Sequence, residues 1–330
     1  MTSPFDAEYD AMEDLFTLRS SGIFLRREAI ASLYNDKQLA RARNSGLVTR
    51  IRHGAYLPTA TWTNLDEVGR HLARAEAIAA THGTRVAFCN QTAALIHGFD
   101  LYNVDLRNVH VHLLGSGSGR TESGITYHQA PPPLTDLREW RGSLVCPPAQ
   151  SAMELAATLN VESSLVVLDS ALRHPEVSLD HLHKLFDAFR YRAGHTHLQI
   201  AIRLIRPGSE SVGESRSRYL FWSQHIPAPQ LQVEIRDDQG NILGILDFLW
   251  PEHGVAGEFD GRVKYSRLLR PGEGPSDAVF REKQREDRIR EATGYLFFRM
   301  VYDDLAHPRR TADRLRETLE RGRKLRSTWA

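Results

Sequence analysis

Cysteine is nearly absent from this chain: Cys89 and Cys146 are the only two among 330 residues. They lie far apart and without metal-ligand spacing, which excludes a disulfide-stapled framework and points to a reduced, cytoplasmic setting. No apolar run approaches the ~18 residues of a membrane span. The opening Met1-Thr-Ser-Pro-Phe-Asp-Ala-Glu8 is acidic and lacks the basic start of a secretory signal. Net charge is scarce too, at +1, which argues against a uniformly basic nucleic-acid coat. What is present is an ordinary globular balance, with 41% hydrophobic and 25% charged residues. That is enough to bury cores, and the length suits two or three domains of ~100–200 residues each.

The small total conceals a local imbalance. Between Arg19 and Pro58, eight cations (Arg19, Arg26, Arg27, Lys37, Arg41, Arg43, Arg50 and Arg52) face only Glu28 and Asp36. The first fourteen residues carry Asp6, Glu8, Asp10, Glu13 and Asp14, which mask that patch, and Arg321 to Arg326 is again basic. Local positive potential attracts phosphates with strong salt dependence, although most charge runs are simply solvated faces.

Within the patch, Ala29, Ile30 and Leu33 recur at helical spacing. Asn35-Asp36 caps a second helix, Lys37 to Asn44, which ends at Gly46. Leu47 to Ile51 and Ala55 to Leu57 read as strands joined around His53-Gly54. This is the pattern of a winged helix-turn-helix over residues 1–62. Lys37, Gln38, Arg41 and Asn44 are its expected groove-facing residues, with Arg50 and Arg52 as further DNA contacts. Three stretches, Gly22-Ile-Phe-Leu-Arg-Arg-Glu-Ala-Ile30, Leu39-Ala-Arg-Ala-Arg-Asn-Ser-Gly46 and Arg50-Ile-Arg-His-Gly-Ala-Tyr56, resemble the N-terminal domain of AbiEi-type antitoxins. Those are transcriptional repressors of phage-abortive-infection systems. The resemblance covers about 45 residues and implies DNA binding, with a cognate toxin protein as a partner. A small helical module that docks on protein is the plainer alternative.

Residues 63–206 read as an α+β middle domain, with helices over 66–82, 91–97, 151–159, 161–173, 179–190 and 198–205 and strands near 86–89, 109–114 and 124–127. They resemble the central part of actinobacterial proteins sharing the same N-terminal pattern. Three histidine pairs occur here: His110/His112, His181/His183 and His195/His197. Only the first lies on an expected strand, where alternate residues share a face and could bind a metal. No third or fourth ligand is visible in the sequence, so these histidines are read as structural. Gly115-Ser-Gly-Ser-Gly119 has no following Lys-Ser/Thr to make a phosphate loop and reads as a hairpin tip.

Residues 207–330 carry the densest chemistry. Ser211-Val-Gly-Glu214 is a capping box opening a helix before Pro227. A strand near 231–235 leads to a hairpin, 241–250 and 255–259, turning at Pro251 to Gly254. That turn sets Trp250 against Val255 and Asp247 against Glu258. Opposed residues share a face and like charges there are destabilising, so such a pair raises a pKa or binds a cation. Asp260, two residues on, would join them. A divalent ion, Mg²⁺ or Mn²⁺, held by Asp247, Glu258 and Asp260 and helped by a lysine, is how a phosphodiesterase activates water. A solvated acidic hairpin is the alternative, because a slip in register exchanges faces.

The order helix, strand, strand, strand, helix, strand matches a restriction-endonuclease-like α/β fold. Glu214-Ser-Arg216, Asp247-Phe248, Glu258-Phe-Asp-Gly261, Lys264-Tyr265, Glu282 to Asp287 and Phe298-Arg299 together resemble the very-short-patch-repair-endonuclease-like group, over about 120 residues. The resemblance implies that Asp247 and Glu258 flank the metal and that Glu214 completes the cluster. The nuclease pattern sets a lysine where Asp260 stands, so Lys264 or Lys283 would supply that charge. The whole chain then reads as a metal-dependent DNA endonuclease with a DNA-binding winged helix, in phage defence or DNA repair. A non-catalytic, antitoxin-like regulator is the alternative.

Overall fold

Helical period and strand alternation place most elements where the sequence puts them. The computed structural model describes residues 12–115, 119–129, 135–189, 195–261 and 275–327. They fall into two compact units, Met1–Leu155 and Ala156–Ala330, so the stretch 63–206 contributes to both. Among the described residues the architecture is mixed α and β, with three separate sheets. Among the described residues no helix is long and apolar enough to cross a membrane.

The first unit opens with α1 (Glu13–Phe16), β1 (Phe24–Leu25), α2 (Arg26–Ala31), α3 (Asp36–Asn44), β2 (Val48–Arg52), β3 (Ala55–Pro58) and α4 (Thr59–Asn64). The strands form one small sheet in the order β1-β3-β2, turned by Gly54 in the left-handed region. One core lies among Leu15, Phe24, Ala29, Leu39, Ala42 and Val48. A second gathers Ile23, Leu25, Ala55 and Leu57 against Ala73 and Ala77 of α5 (Glu67–His82). The small sheet is thereby clamped onto a long helix. His71 of α5 is fully buried, its ring nitrogens 2.9 Å from Leu106 O and from Thr92 Oγ1. Burial pushes its pKa down.

Beyond α5 come β4 (Val86–Phe88), α6 (Asn90–Ile96), β5 (Val109–Leu113), β6 (Arg120–Glu122), β7 (Ile125–Gln129), β8 (Arg138–Trp140), β9 (Ser143–Val145) and α7 (Pro148–Ala156). They build a six-stranded sheet, β6-β7-β5-β4-β9-β8. Alternation divides its faces. Val86, Phe88, Val109, Val111, Ile125, Tyr127 and Val145 pack with Ile78 and Ala79 of α5. The intervening residues, Ala87, His110, His112, Thr126, His128 and Leu144, take the other face, in register across β4, β5, β7 and β9. Burial and the neighbouring His128 push His110 down to about 4. The Gly-rich residues 116–118 lie outside the described residues.

The second unit holds α8 (Val161–Ala171), α9 (Leu179–Phe189), α10 (His195–Leu204), α11 (Val212–Ser223), β10 (Gln230–Arg236), β11 (Ile242–Trp250), β12 (Val255–Phe259), α12 (Pro275–Thr293), β13 (Leu296–Met300), α13 (Tyr302–Ala306) and α14 (Pro308–Ser327). The four strands pair in sequence order, antiparallel except for the parallel pair β12–β13. Trp250 pairs with Val255 and Phe248 with Gly257, the register that the Pro251 turn predicts. On one face Phe248, Trp250, Phe259 and Phe298 pack with Phe221, Leu315 and Leu319. On the other, Ile235, Leu246, Leu249 and Ala256 pack with Ile289 of α12.

One irregularity interrupts the β10–β11 ribbon. Leu231 and its partner Phe248 belong to the first core, yet Val233 and its partner Leu246, two residues along, belong to the second. Strict alternation would keep each pair on one face. Both strands therefore change face together at Gln232 and Asp247, and Gln232 carries a φ of 47°.

Candidate functional site

The N-terminal module presents α3 along its surface. Leu39 and Ala42 face inward, while Lys37, Gln38, Arg41, Arg43 and Asn44 are exposed. The helix begins in a reciprocal cap: Gln38 N–H donates to Asn35 Oδ1 at 3.0 Å, and Asn35 N–H donates to Gln38 Oε1 at 2.9 Å. Part of the Gln38 side chain thus serves the helix terminus, a local role that competes with reading a base. Asn44 Oδ1 accepts from Arg43 at 3.5 Å.

The cations of the patch divide into two groups. Arg19 grips Glu28 in two bonds of 2.8 and 2.7 Å, and Arg26 grips Asp36 at 2.7 and 2.6 Å. Arg27 donates to Ala80 O. These arginines are occupied in holding the module together. By contrast Lys37, Arg41 and Arg50 are exposed, and among the described residues none is paired with an acid. Arg52 is only half-exposed, with its Nε buried and unpartnered. It lies close enough to His82 to depress that imidazole, after burial itself. The outward charge is therefore carried mainly by Lys37 and Arg41, one turn apart on α3, with Arg43, and by Arg50 on the adjoining hairpin.

The expected metal cluster is distributed differently from the sequence reading. The β11–β12 register runs from Trp250–Val255 to Phe248–Gly257; Asp247 and Glu258 lie one position beyond it, and their carboxylates bond to different partners. Asp247 Oδ2 accepts from Phe259 N–H at 2.8 Å and Oδ1 from Gln232 Nε2 at 3.3 Å. The same amide donates to Glu214 Oε2 at 3.1 Å. Glu214 is buried at the start of α11, where it accepts from Ser211 Oγ at 2.7 Å and Glu210 N–H at 2.9 Å. Glu258, on the α12 face, is bound by Arg285 at 2.5 Å and approached by Arg299 at 3.5 Å. Arg299 also bonds Asp260 at 3.2 Å and Glu286. Burial works against the Arg299 charge, but Glu258, Glu286 and Asp260 outweigh it and hold its pKa above the ordinary value.

The shared-face expectation for Asp247 and Glu258 fails because the change of face at Gln232–Asp247 turns Asp247 toward α11. A magnesium ion wants an octahedral shell of oxygens, with several waters retained. Here two acids share one glutamine amide, and two others are neutralised by arginines. Among the described residues no three of these four carboxylates bring their oxygens within 4.8 Å of one another. As arranged, the set does not fit such an ion. Lys264 lies outside the described residues, and Lys283 is exposed on α12.

Comparison with known proteins bears on the N-terminal module. Residues 13–59 match the family described as transcriptional regulator, AbiEi antitoxin. That AbiEi-matching segment runs from α1 into α4 and includes all of α3 and the β2–β3 hairpin. Over a longer span the chain is similar to two uncharacterized proteins of Mycobacterium tuberculosis. These are MT2308 of strain CDC 1551 / Oshkosh and Rv2248 of strain ATCC 25618 / H37Rv, each 28% identical over 285 residues, 86% of this chain and 96% of the relative.

What sequence reasoning missed is the use to which the arginines are put. Arg285 and Arg299 stand 27 and 41 residues from Glu258 in the chain, and no local spacing announces their pairing. A signal existed for Gln38, since Asn-x-x-Gln is a capping pattern.

Proposed function

We propose that this chain is a DNA-binding regulator of the antitoxin type. Its AbiEi-matching module lays α3 against a duplex, with Lys37, Arg41, Arg43 and Arg50 on phosphates and Asn44 near a base edge. The observation that carries this reading is the segregation of charge on the module. Arg19 and Arg26 are neutralised by Glu28 and Asp36 and Arg27 is held by a backbone carbonyl, whereas among the described residues the outward cations meet no acid. Phosphate contacts orient a protein on DNA, while base-edge contacts select the sequence. Arg52, turned toward His82, adds little. The second unit serves as a scaffold or as a surface for a cognate toxin protein. The test is fluorescence anisotropy with labelled duplex from upstream of the chain's own gene and a shuffled control. Binding that prefers the upstream duplex and is lost in a Lys37→Ala/Arg41→Ala double variant is expected. Equal binding by the double variant would remove the proposal.

A second reading, metal-dependent cleavage of DNA by the second unit, is favoured by the element order α11-β10-β11-β12-α12-β13 with acids at Glu214, Asp247 and Glu258. It requires Arg285 and Arg299 to surrender Glu258 so that Mg²⁺ or Mn²⁺ can bind. Plasmid nicking by the wild type but not by Asp247→Ala would support it. Equal nicking by both, or by neither, would dismiss it.

A further inference from the structure

The polar face of the six-stranded sheet collects donors that no stretch of sequence displays together. Cys89 follows the β4 strand directly, His112 lies on β5, and Glu154 reaches the face from α7. All three are buried, at 0%, 4% and 4% exposure. One ligand atom from each lies within 4.8 Å of the other two. His112 Nε2 is 3.1 and 3.0 Å from the two Glu154 oxygens, while its Nδ1 is buried with no hydrogen-bond partner. A buried carboxylate and an imidazole with one idle nitrogen make an incomplete set. Burying such groups is costly unless a partner or a metal answers them.

We propose that Cys89, His112 and Glu154 hold a structural zinc ion that ties α7 to the sheet. Thiolate, imidazole and carboxylate are the ligand types that zinc takes, at about 2.3, 2.0 and 2.1 Å, and a tetrahedral shell sets neighbouring N and O ligands about 3.3 Å apart. The observed His112–Glu154 spacing already lies near that value, so ligation asks for small side-chain shifts. A sulfur donor in a dry site selects a borderline-soft cation over magnesium. Coordination displaces the Cys89 proton to solvent, leaving a neutral imidazole and two anionic ligands around the dication. Cys146 follows β9, whose register with β4 sets it beside Cys89. It offers a further donor on the same face. Second-sphere support is in place: Gln150 Nε2 donates to Glu154 Oε1 at 2.8 Å, and Asn90 Nδ2 donates to Cys89 Sγ at 3.7 Å. Such outer contacts orient metal ligands. The location in the first unit makes this ion independent of the carboxylates around Asp247.

The experiment uses the full chain. Metal content is measured after purification, and the metal-stripped protein is titrated with Zn²⁺ against a chromophoric chelator and with Co²⁺ by absorption spectroscopy. One zinc per chain and a thiolate-to-cobalt charge-transfer band are expected. Cys89→Ala should abolish the band. Glu154→Gln retains a hydrogen-bonding partner for His112 and should fold, yet weaken zinc binding by about tenfold or more. Circular dichroism confirms that each variant is folded. A wild type that retains no metal and gives no charge-transfer band overturns the proposal. So does a chain whose metal survives Cys89→Ala but is lost in Asp247→Asn.

Discussion

The segregation of cations on the N-terminal module predicts a specific salt dependence. If Lys37, Arg41, Arg43 and Arg50 each neutralise one phosphate, the slope of log K against log salt is about −3.6, at roughly −0.9 per contact. Between about 50 and 200 mM salt the affinity then falls ~150-fold. Removing Arg41 leaves about three contacts, a slope near −2.7 and a fall of ~40-fold over the same range. Arg26 provides the internal control, because both its bonds go to Asp36 and it has little reach left for a phosphate. Arg26→Ala should leave the slope where it was, whatever it does to affinity. The assay is anisotropy of a labelled duplex at five or so salt concentrations for wild type, Arg41→Ala and Arg26→Ala. A wild-type slope shallower than about −1 would refute the reasoning, as would equal flattening by the two substitutions.

Other outcomes rest on packing and charge elsewhere. Arg299→Met leaves Glu258 with Arg285 and Glu286 with Arg290, but removes the cation that these two nearly buried acids share with Asp260. After discounting for the partial exposure of Arg299 the loss is about 2–3 kcal/mol, read from urea unfolding; a loss below about 1 kcal/mol would show that solvent already screens the cluster. Gly213→Ala places a Cβ 1.9 Å from Phe259 Cε1, an overlap that should cost about 1–3 kcal/mol and lower the thermal midpoint. His71 is held neutral by burial, so the unfolded chain binds a proton more readily than the folded one. Its contribution is therefore complete above the unfolded pKa of about 6.5 and is lost as pH falls below it. The urea midpoint should decline from pH 7.5 toward pH 5.5, and less steeply in His71→Gln; parallel profiles would contradict this.

Elements with a strong local signature were legible in the sequence. The Asn35 cap, the Gly46 end of α3 and the Pro251 turn fix their own neighbourhoods, and each forms as read. The helix expected from the spacing of Ala29, Ile30 and Leu33 does not, because it stops at Ala31 and Leu33 is exposed with a φ of 67°. The short strands β1, β6, β8 and β9 were not legible. Two or three residues carry no period, and the β8–β9 turn uses Arg141 and Gly142 with φ of 49° and 77°, where Asn-Gly is the usual signal. The Trp250–Val255 pairing was correctly counted from the turn, but the shared face expected for Asp247 and Glu258 did not follow from it. Alternation is a local rule, and the change of face at Gln232 arises from the two cores that the hairpin must serve. The histidine pair on β5 shows the same limit, because Cys89 and Glu154 come to His112 only through β4–β5 pairing and the packing of α7.

The turnover at Gln232 and Asp247 gives the β10–β11 ribbon two independent moorings. Near the Pro251 turn it is anchored through Phe248 and Trp250 to Phe221, while its distal end leans on Ile289 of the highly charged α12. Peeling α12 away would uncover Ile235, Leu246, Leu249 and Ala256, while the Phe248 and Trp250 side chains stay packed on Phe221. Backbone amides from 242 to 246 would then exchange with solvent while those from 248 to 250 stayed protected. A ligand that disturbs α12 could therefore loosen half a ribbon without unseating the other half.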